Sequence, residues 1–203
     1  MGGGEYEAQP ALRGMARPIR ELVAGGVYHA VARGNRGARI FRDDADYAEY
    51  LKLLAGVVKR FRWHVLAYCL MGNHVHLVVE TPEPNLPAGM QWLHGKYGRY
   101  FNDRHDLFGH LFQGRYKAVR QLTDEQLLYV LRYVGLNPVE AGLCQRPRDY
   151  RWSSYGAVLE SNPHSVAVDR LAWFTDAREG EDRLARYREL VEDEPCLPSG
   201  AAA

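Results

Sequence analysis

Two β-rich segments separated by three residues constrain the fold of this chain most. Residues 63–70 (WHVLAYCL) and 74–80 (HVHLVVE) are typical of strands, and Met71, Gly72 and Asn73 between them suit a hairpin turn. Further strands are predicted over 27–31 and 115–122, with a helix after the first strand and another after the hairpin. The order β-α-β-β-α-β predicts an α+β fold. This is a ferredoxin-like (split βαβ) antiparallel sheet with helices on one face, plus a C-terminal helical extension.

Helix-start signals refine this pattern. Asp43 or Asp44 is predicted to cap the first helix, and the second is expected over 88–104. Thr123 opens a capping box with Gln126, and Pro138 is predicted to end the third helix. We expect a flexible lead over 1–14, one domain over 15–160, and a peripheral helical extension with a frayed tail over 161–203.

Composition excludes several classes of protein. The 203 residues carry a net charge of +1, and no apolar run approaches the roughly 20 residues of a membrane span. The N-terminus lacks the apolar core of a signal peptide. Three scattered cysteines form no CxxC pair, which argues against a disulfide framework or a cysteine-rich zinc site. A cytoplasmic protein is predicted.

The near-neutral charge is unevenly distributed. Residues 13–42 hold seven arginines and one acid, whereas residues 94–122 hold six basic and two acidic side chains. Such stretches are compatible with a positive surface that binds a polyanion, and equally with ordinary solvated charge. The open face of a ferredoxin-like sheet is a common platform for single-stranded nucleic acid.

Two histidines are the first candidate catalytic feature. His74 and His76 are two residues apart on a predicted strand, so both imidazoles lie on one face while Val75 and Leu77 point into the core. Two neutral imidazoles are a natural ligand pair for a divalent metal. The alternative is two strand histidines without a chemical role.

The third helix supplies the second candidate feature. Tyr129, Tyr133 and Asn137 recur every four residues and share one stripe. A tyrosine and an amide one turn apart can present a nucleophile and a third metal ligand, and mixed nitrogen and oxygen ligation suits Mg²⁺ or Mn²⁺. The alternatives are a packing tyrosine, which we favour for Tyr129, and a helix stop at Asn137.

Four segments together resemble the single-tyrosine HUH transposases, and most closely the REP-associated tyrosine transposases. They are LMGNHVHLVVE (70–80), HLFQGRYKAV (110–119), LRYVGLNPVEAGL (131–143) and DYRWSSYGA (149–157). The resemblance runs in order from about Met15 to Glu160.

This resemblance implies a metal-dependent endonuclease and strand transferase that cleaves single-stranded DNA near imperfect hairpins. Tyr133 matches the nucleophile that forms a 5′-phosphotyrosine, and His74, His76 and Asn137 match the ligands of Mg²⁺ or Mn²⁺. It also favours DNA contacts by Arg115 and Lys117. In the Gly-flanked loop, DNA contact by Arg33, Asn35 and Arg36 is as plausible as no contact. Location at the nucleoid when bound to DNA is expected, and action as a monomer or as a homodimer stays open.

Two alternatives remain. A non-catalytic nucleic-acid-binding regulator on the same fold would bind hairpins without a metal. A hydrolytic phosphodiesterase would use the histidine pair and a water, and would leave no protein–DNA adduct.

Overall fold

The computed structural model describes residues 22–160 and 182–192. Four strands form its sheet: β1 (Gly26–Arg33), β2 (His64–Met71), β3 (His74–Thr81) and β4 (Lys117–Gln121). Their order is β2-β3-β1-β4, and every neighbouring pair is antiparallel. The predicted ferredoxin-like sheet is thereby confirmed. The predicted lead over 1–14 lies outside the described residues, as does the C-terminal part apart from 182–192.

Five helices accompany the sheet within the described ranges: α1 (Asp44–Phe61), α2 (Leu86–His105), α3 (Asp124–Glu140), α4 (Ser154–Glu160) and α5 (Arg183–Glu192). Short 3₁₀ turns occupy Asn35–Gly37 and Pro147–Asp149. None of the helices seen in these ranges combines the length and apolar character that a membrane crossing requires.

Helices α1 and α2 cover one face of the sheet. Asp43 caps α1, as predicted, because its carboxylate accepts hydrogen bonds from the backbone N–H groups of Ala45 and Asp46. Buried residues of α1 and α2, such as Leu54 and Tyr97, form one core cluster with the inward side chains of the strands. This layer is the predicted ferredoxin-like arrangement.

Helix α2 meets the start of β2 through a tight contact. The Trp63 indole lies directly against the Cα of Gly89, where a Cβ would collide with the ring. The indole N–H also donates to Asn85 Oδ1 at 2.7 Å, just before the helix begins. The packing therefore requires glycine, the residue found in the sequence, at position 89 of α2.

The second face of the sheet is only partly open, which differs from the open platform expected above. Helices α3, α4 and α5 form a second core cluster with the opposite face of β2 and β3, including Cys69 and Val78 of the strands and Leu131 and Val134 of α3. The apolar side of α3 explains this covering, since it needs a partner surface. The uncovered part of this face lies toward β1 and β4, where Val119 is 64% exposed.

Helix α3 begins as predicted and ends later than predicted. The Thr123 side chain accepts from the N–H of Gln126, whose own amide oxygen accepts from the N–H of Leu122. Pro138 does not end the helix but lies inside it. A proline near the end removes only one donor, and the last turn is completed by Ala141 N–H to the Asn137 carbonyl at 3.0 Å. Asn137 is therefore held within the helix.

Helix α5 packs on the outer side of α3. Val191 contacts the position of Gly135, and the rings of Tyr187 and Tyr155 meet at 5.3 Å. Glu192 accepts a hydrogen bond from the Tyr155 hydroxyl at 2.8 Å. Helix α3 is thus held between the sheet and α5.

Candidate active site

The two histidines of β3 share the face that α3 crosses. His74 pairs with Arg33 and His76 with Val31 of β1, while Val75 and Leu77 belong to the core on the other face. The two imidazole centroids are 5.0 Å apart. The strand period thus places both rings side by side, as expected.

Helix α3 brings two further predicted residues to this pair. The Tyr133 ring lies 5.5 Å from the ring of His76, and the side chain of Asn137 lies beside His74, close enough to affect its pKa. Tyr129, one turn earlier, is 46% exposed and does not pack as we had favoured. The structure therefore brings together Tyr133, His74, His76 and Asn137, from two elements far apart in the sequence.

A third histidine, His29 of β1, completes the cluster. Its Nε2 lies 3.0 Å from Nδ1 of His76, and its ring is 6.0 Å from that of Tyr133. From the sequence, His29 is interpreted as a residue of the sheet face, with a DNA contact as the less favoured alternative. Its role was missed because the contact depends on the register of β1 against β3, which no local pattern reveals.

Asn73, in the β2–β3 turn, is a second residue that the sequence reasoning missed. Its Oδ1 lies 2.7 Å from Nδ1 of His74, and its amide nitrogen donates to the Gly37 carbonyl at 3.2 Å. In the sequence it is indistinguishable from an ordinary turn residue.

Burial keeps these histidines uncharged. Burial, with smaller contributions from His29 and His74, lowers the pKa of His76 to about 2. Burial also lowers the pKa of His29 to about 4. The pKa of His74 is lowered by burial and by the Arg33 charge, which outweigh the opposing effect of the Asn137 side chain. All three imidazoles are neutral near pH 7.

The donor set fits a divalent metal ion. His76 Nε2 is buried and has no hydrogen-bond partner among the described residues, so a neutral His76 can present a lone pair there. His74 and the Asn137 amide supply further nitrogen and oxygen donors beside it. Over residues 22–160 and 182–192, no group of three or more His, Cys, Asp or Glu side chains has the geometry of a metal site. The candidate ligands, two imidazoles and one amide, include only two side chains of these types.

The five basic or polar residues predicted to contact DNA fall into three places. Arg33 and Lys117 lie on the histidine side, since they pair with His74 and with Val31 respectively. Asn35 and Arg115 border a groove of about 1290 Å³ between α2 and residues 109–116. Arg36 is exposed in the turn between β1 and α1, with a left-handed φ of 55°.

The prediction that Arg115 belongs to a strand was wrong, because β4 begins at Lys117. The preceding segment is tied instead to the end of β1, where Gln113 N–H donates to the Arg33 carbonyl at 2.9 Å and Asn35 N–H donates to that of Leu111 at 2.8 Å. Arg115 and Lys117 consequently do not alternate along one strand.

The three aromatic residues that follow α3 pack in the protein interior. Trp152 stacks on Tyr47 with the ring centroids 4.6 Å apart, and Tyr155 is fully buried. The Tyr150 hydroxyl donates to the Leu70 carbonyl at 2.7 Å. The sequence is compatible both with stacking of these side chains on unpaired bases and with packing over the core, and these contacts support packing.

Two solved structures are similar to this chain. A REP-associated tyrosine transposase, solved bound to a REP hairpin, has a TM-score of 0.61 at 17% identity, covering 83% of this chain and 100% of that chain. A protein from Deinococcus radiodurans described as a transposase has a TM-score of 0.41 at 18% identity, covering 59% of this chain and 95% of that one.

No curated protein matches the chain. The model of the family "Transposase IS200 like" matches residues 23–137, more than half of the chain and a range that contains the histidine pair, Tyr133 and Asn137. The protein therefore belongs to the IS200-like transposase family.

Proposed function

We propose that this family member is a metal-dependent endonuclease and strand transferase that acts on single-stranded DNA beside hairpins. The observation that carries the proposal is the approach of the Tyr133 ring, on α3, to within 5.5 Å of His76 on β3. A transposase needs to break a phosphodiester and later rejoin it. A tyrosine beside a candidate metal site is suited to both steps.

In the cleavage step, the Tyr133 hydroxyl oxygen attacks the phosphorus and the bond from phosphorus to the 3′ oxygen breaks. The phenol loses its proton, and the departing 3′ oxygen gains one to become a 3′-hydroxyl. The phosphate stays attached to Tyr133 as a 5′-phosphotyrosine. Because the phosphodiester bond is exchanged rather than hydrolysed, a 3′-hydroxyl can attack the adduct and rejoin the DNA without ATP.

His74, His76 and Asn137 would hold Mg²⁺ or Mn²⁺ in this scheme. A divalent ion neutralises charge on the phosphate and polarises it toward attack. The chain's own residues position the reactants, because β3 and α3 set the histidines and Tyr133 beside one another. Arg33, beside His74, places a positive charge where the phosphate would lie.

DNA binding would use all five predicted contact residues. Arg33 and Lys117 would hold the strand near the scissile phosphate. Asn35 and Arg115 would contact the flanking hairpin along the groove beside α2, and Arg36 would contact it from the turn after β1. The likeness in fold to a transposase solved with a REP hairpin supports a hairpin substrate. It also supports placing the protein in the REP-associated branch.

The adduct is the product that tests this proposal. Fluorescent single-stranded oligonucleotides containing hairpins from the DNA flanking the gene are incubated with protein and Mn²⁺ or Mg²⁺, then run on a denaturing gel. We expect a protease-sensitive shifted band that disappears with EDTA and in Tyr133→Phe, because only the hydroxyl can attack. Tyr129→Phe is the matched control on the same helix and should retain the band.

Two results would contradict the proposal. Cleaved DNA without an adduct would indicate hydrolysis by an activated water. Hairpin binding without cleavage in either metal would indicate the non-catalytic regulator.

A further inference from the structure

Both histidines of β3 have their Nδ1 atoms engaged by a neighbouring side chain. His74 Nδ1 lies 2.7 Å from Asn73 Oδ1, and His76 Nδ1 lies 3.0 Å from His29 Nε2. A neutral imidazole carries one proton, and the partner of one nitrogen decides which nitrogen holds it. These contacts therefore bear on which atoms remain available to a metal.

The amide orientation of Asn73 determines the proton position on His74. Asn73 Nδ2 donates to the Gly37 carbonyl at 3.2 Å, which turns Oδ1 toward His74. An amide oxygen accepts hydrogen bonds and cannot donate them. The proton of neutral His74 therefore lies on Nδ1, and its Nε2 keeps a lone pair.

The contact between His29 and His76 allows two arrangements, and burial separates them. If His29 donated, the proton of His76 would lie on Nε2, where the described residues offer no hydrogen-bond partner. A buried donor without an acceptor costs about 1–3 kcal/mol. If His76 donates through Nδ1, its buried Nε2 becomes a lone pair that a cation can use.

We propose that His29 and Asn73 are positioning residues that hold His76 and His74 with the proton on Nδ1, so that both Nε2 atoms face a divalent cation. The proposal rests on the metal site of the proposed function. His29 is suited to this role because it is part of β1, next to β3, and cannot move far without disturbing the sheet. Asn73 is fixed in the β2–β3 turn, where its backbone carbonyl accepts a hydrogen bond from the Gly34 N–H at 2.8 Å.

The first test reads the proton positions directly in metal-free protein. Long-range ¹H–¹⁵N spectra of ¹⁵N-histidine protein near pH 7 should show His74 and His76 protonated on Nδ1 and unprotonated on Nε2. Assignment uses His74→Gln and His76→Gln. A proton on Nε2 of His76 would overturn the role of His29, and one on Nε2 of His74 would overturn that of Asn73.

The second test measures Mn²⁺ affinity by calorimetry. His29→Phe keeps the ring volume but removes the acceptor, and should weaken Mn²⁺ binding about 10–100-fold. His29→Gln places an amide oxygen near the position of Nε2 and should bind within a few-fold of wild type. His64→Phe, the same change at an exposed position of β2, should bind like wild type. Thermal unfolding checks that each variant is folded.

The results separate this inference from the proposed function. Equal Mn²⁺ affinity of wild type and His29→Phe would overturn the positioning role of His29 alone. A wild-type protein that binds no Mn²⁺ would overturn both proposals. The expected proton positions and affinities in a protein that forms no DNA adduct would support the inference and contradict the phosphotyrosine mechanism.

Discussion

Tyr129 and Tyr133 are one helical turn apart on α3 and have different surroundings. Tyr129 is 46% exposed, whereas the ring of Tyr133 lies near the rings of His29 and His76. The difference follows from the crossing of α3 over the sheet, which brings only the later turn above β3. At the scale of single residues, position relative to the histidines distinguishes two otherwise similar tyrosines.

His94, on the other side of the sheet, links protein stability to pH. Its ring stacks on Phe112 at 4.2 Å, and burial lowers its pKa from 6.5 to about 3. A histidine whose pKa is lowered by folding stabilises the protein above its unfolded pKa of 6.5. That stability is lost as the pH falls from 6.5 toward 3, because the unfolded chain takes up the proton first.

We therefore predict a smaller acid sensitivity in His94→Gln, which has no group that titrates in this range. Between pH 7 and pH 5, the free energy of unfolding of wild type should fall by about 1–2 kcal/mol more than that of the variant. The lower end of this free-energy range allows for water that reaches the His94 ring from the groove beside α2. Urea unfolding at the two pH values measures this difference, and parallel pH dependence in the two proteins would contradict it.

Much of the site could be predicted at the residue scale because it follows local periods. The two-residue period of a strand relates His74 to His76, and the four-residue spacing of a helix relates Tyr133 to Asn137. The contributions of His29 and Asn73 could not be predicted in this way. They depend on how β1 pairs with β3 and on a hydrogen bond across the loop to Gly37, which are properties of the folded chain.

At the scale of elements, the contact between Trp63 and Gly89 constrains where α2 can lie. A Cβ at Gly89 would collide with the indole of a fully packed tryptophan. We predict that Gly89→Ala lowers the free energy of unfolding by about 1–3 kcal/mol, the usual cost of overpacking. Chemical denaturation measures the change.

Gly95 of the same helix provides the matched control. Nothing lies within 4 Å of a Cβ built at this position, so alanine is accommodated without strain. Because alanine favours helix over glycine by up to about 1 kcal/mol, Gly95→Ala should be neutral or stabilising. Equal effects of the two substitutions would show that the Trp63 contact does not constrain α2.

The helix caps and the order of helices and strands could be predicted from the sequence. The end of α3 and the start of β4 could not. Asp43 and Thr123 act through hydrogen bonds to residues two or three positions away, which the sequence displays. Pro138 was expected to end α3, but the following N–H groups complete the turn. Arg115 was expected within β4, but its segment is held by the end of β1. Long-range backbone contacts decide such boundaries, whereas local propensity decides the caps.

At the scale of the whole molecule, one chain contains all four proposed catalytic residues in contact. We therefore predict that Tyr133 acts with the histidines of its own chain. Mixing Tyr133→Phe with His76→Ala should give no DNA adduct, because neither chain then carries a complete site. The denaturing gel described above measures the adduct.

The control mixture contains wild type and Tyr133→Phe and should form the adduct. An adduct in the mixture of the two inactive variants would show that the helix of one chain serves the histidines of another. This test distinguishes the two arrangements whether the protein is a monomer or a homodimer.

The position of α3 between the sheet and α5 has a consequence for DNA exchange. Val130, Leu131 and Val134 are at most 4% exposed, and returning each to water would cost roughly 1.5–3 kcal/mol. A swinging motion of the helix that carries the covalently attached strand is therefore unfavourable. In the proposed reaction, α3 and the strand attached to Tyr133 stay in place, and the incoming and outgoing DNA ends move.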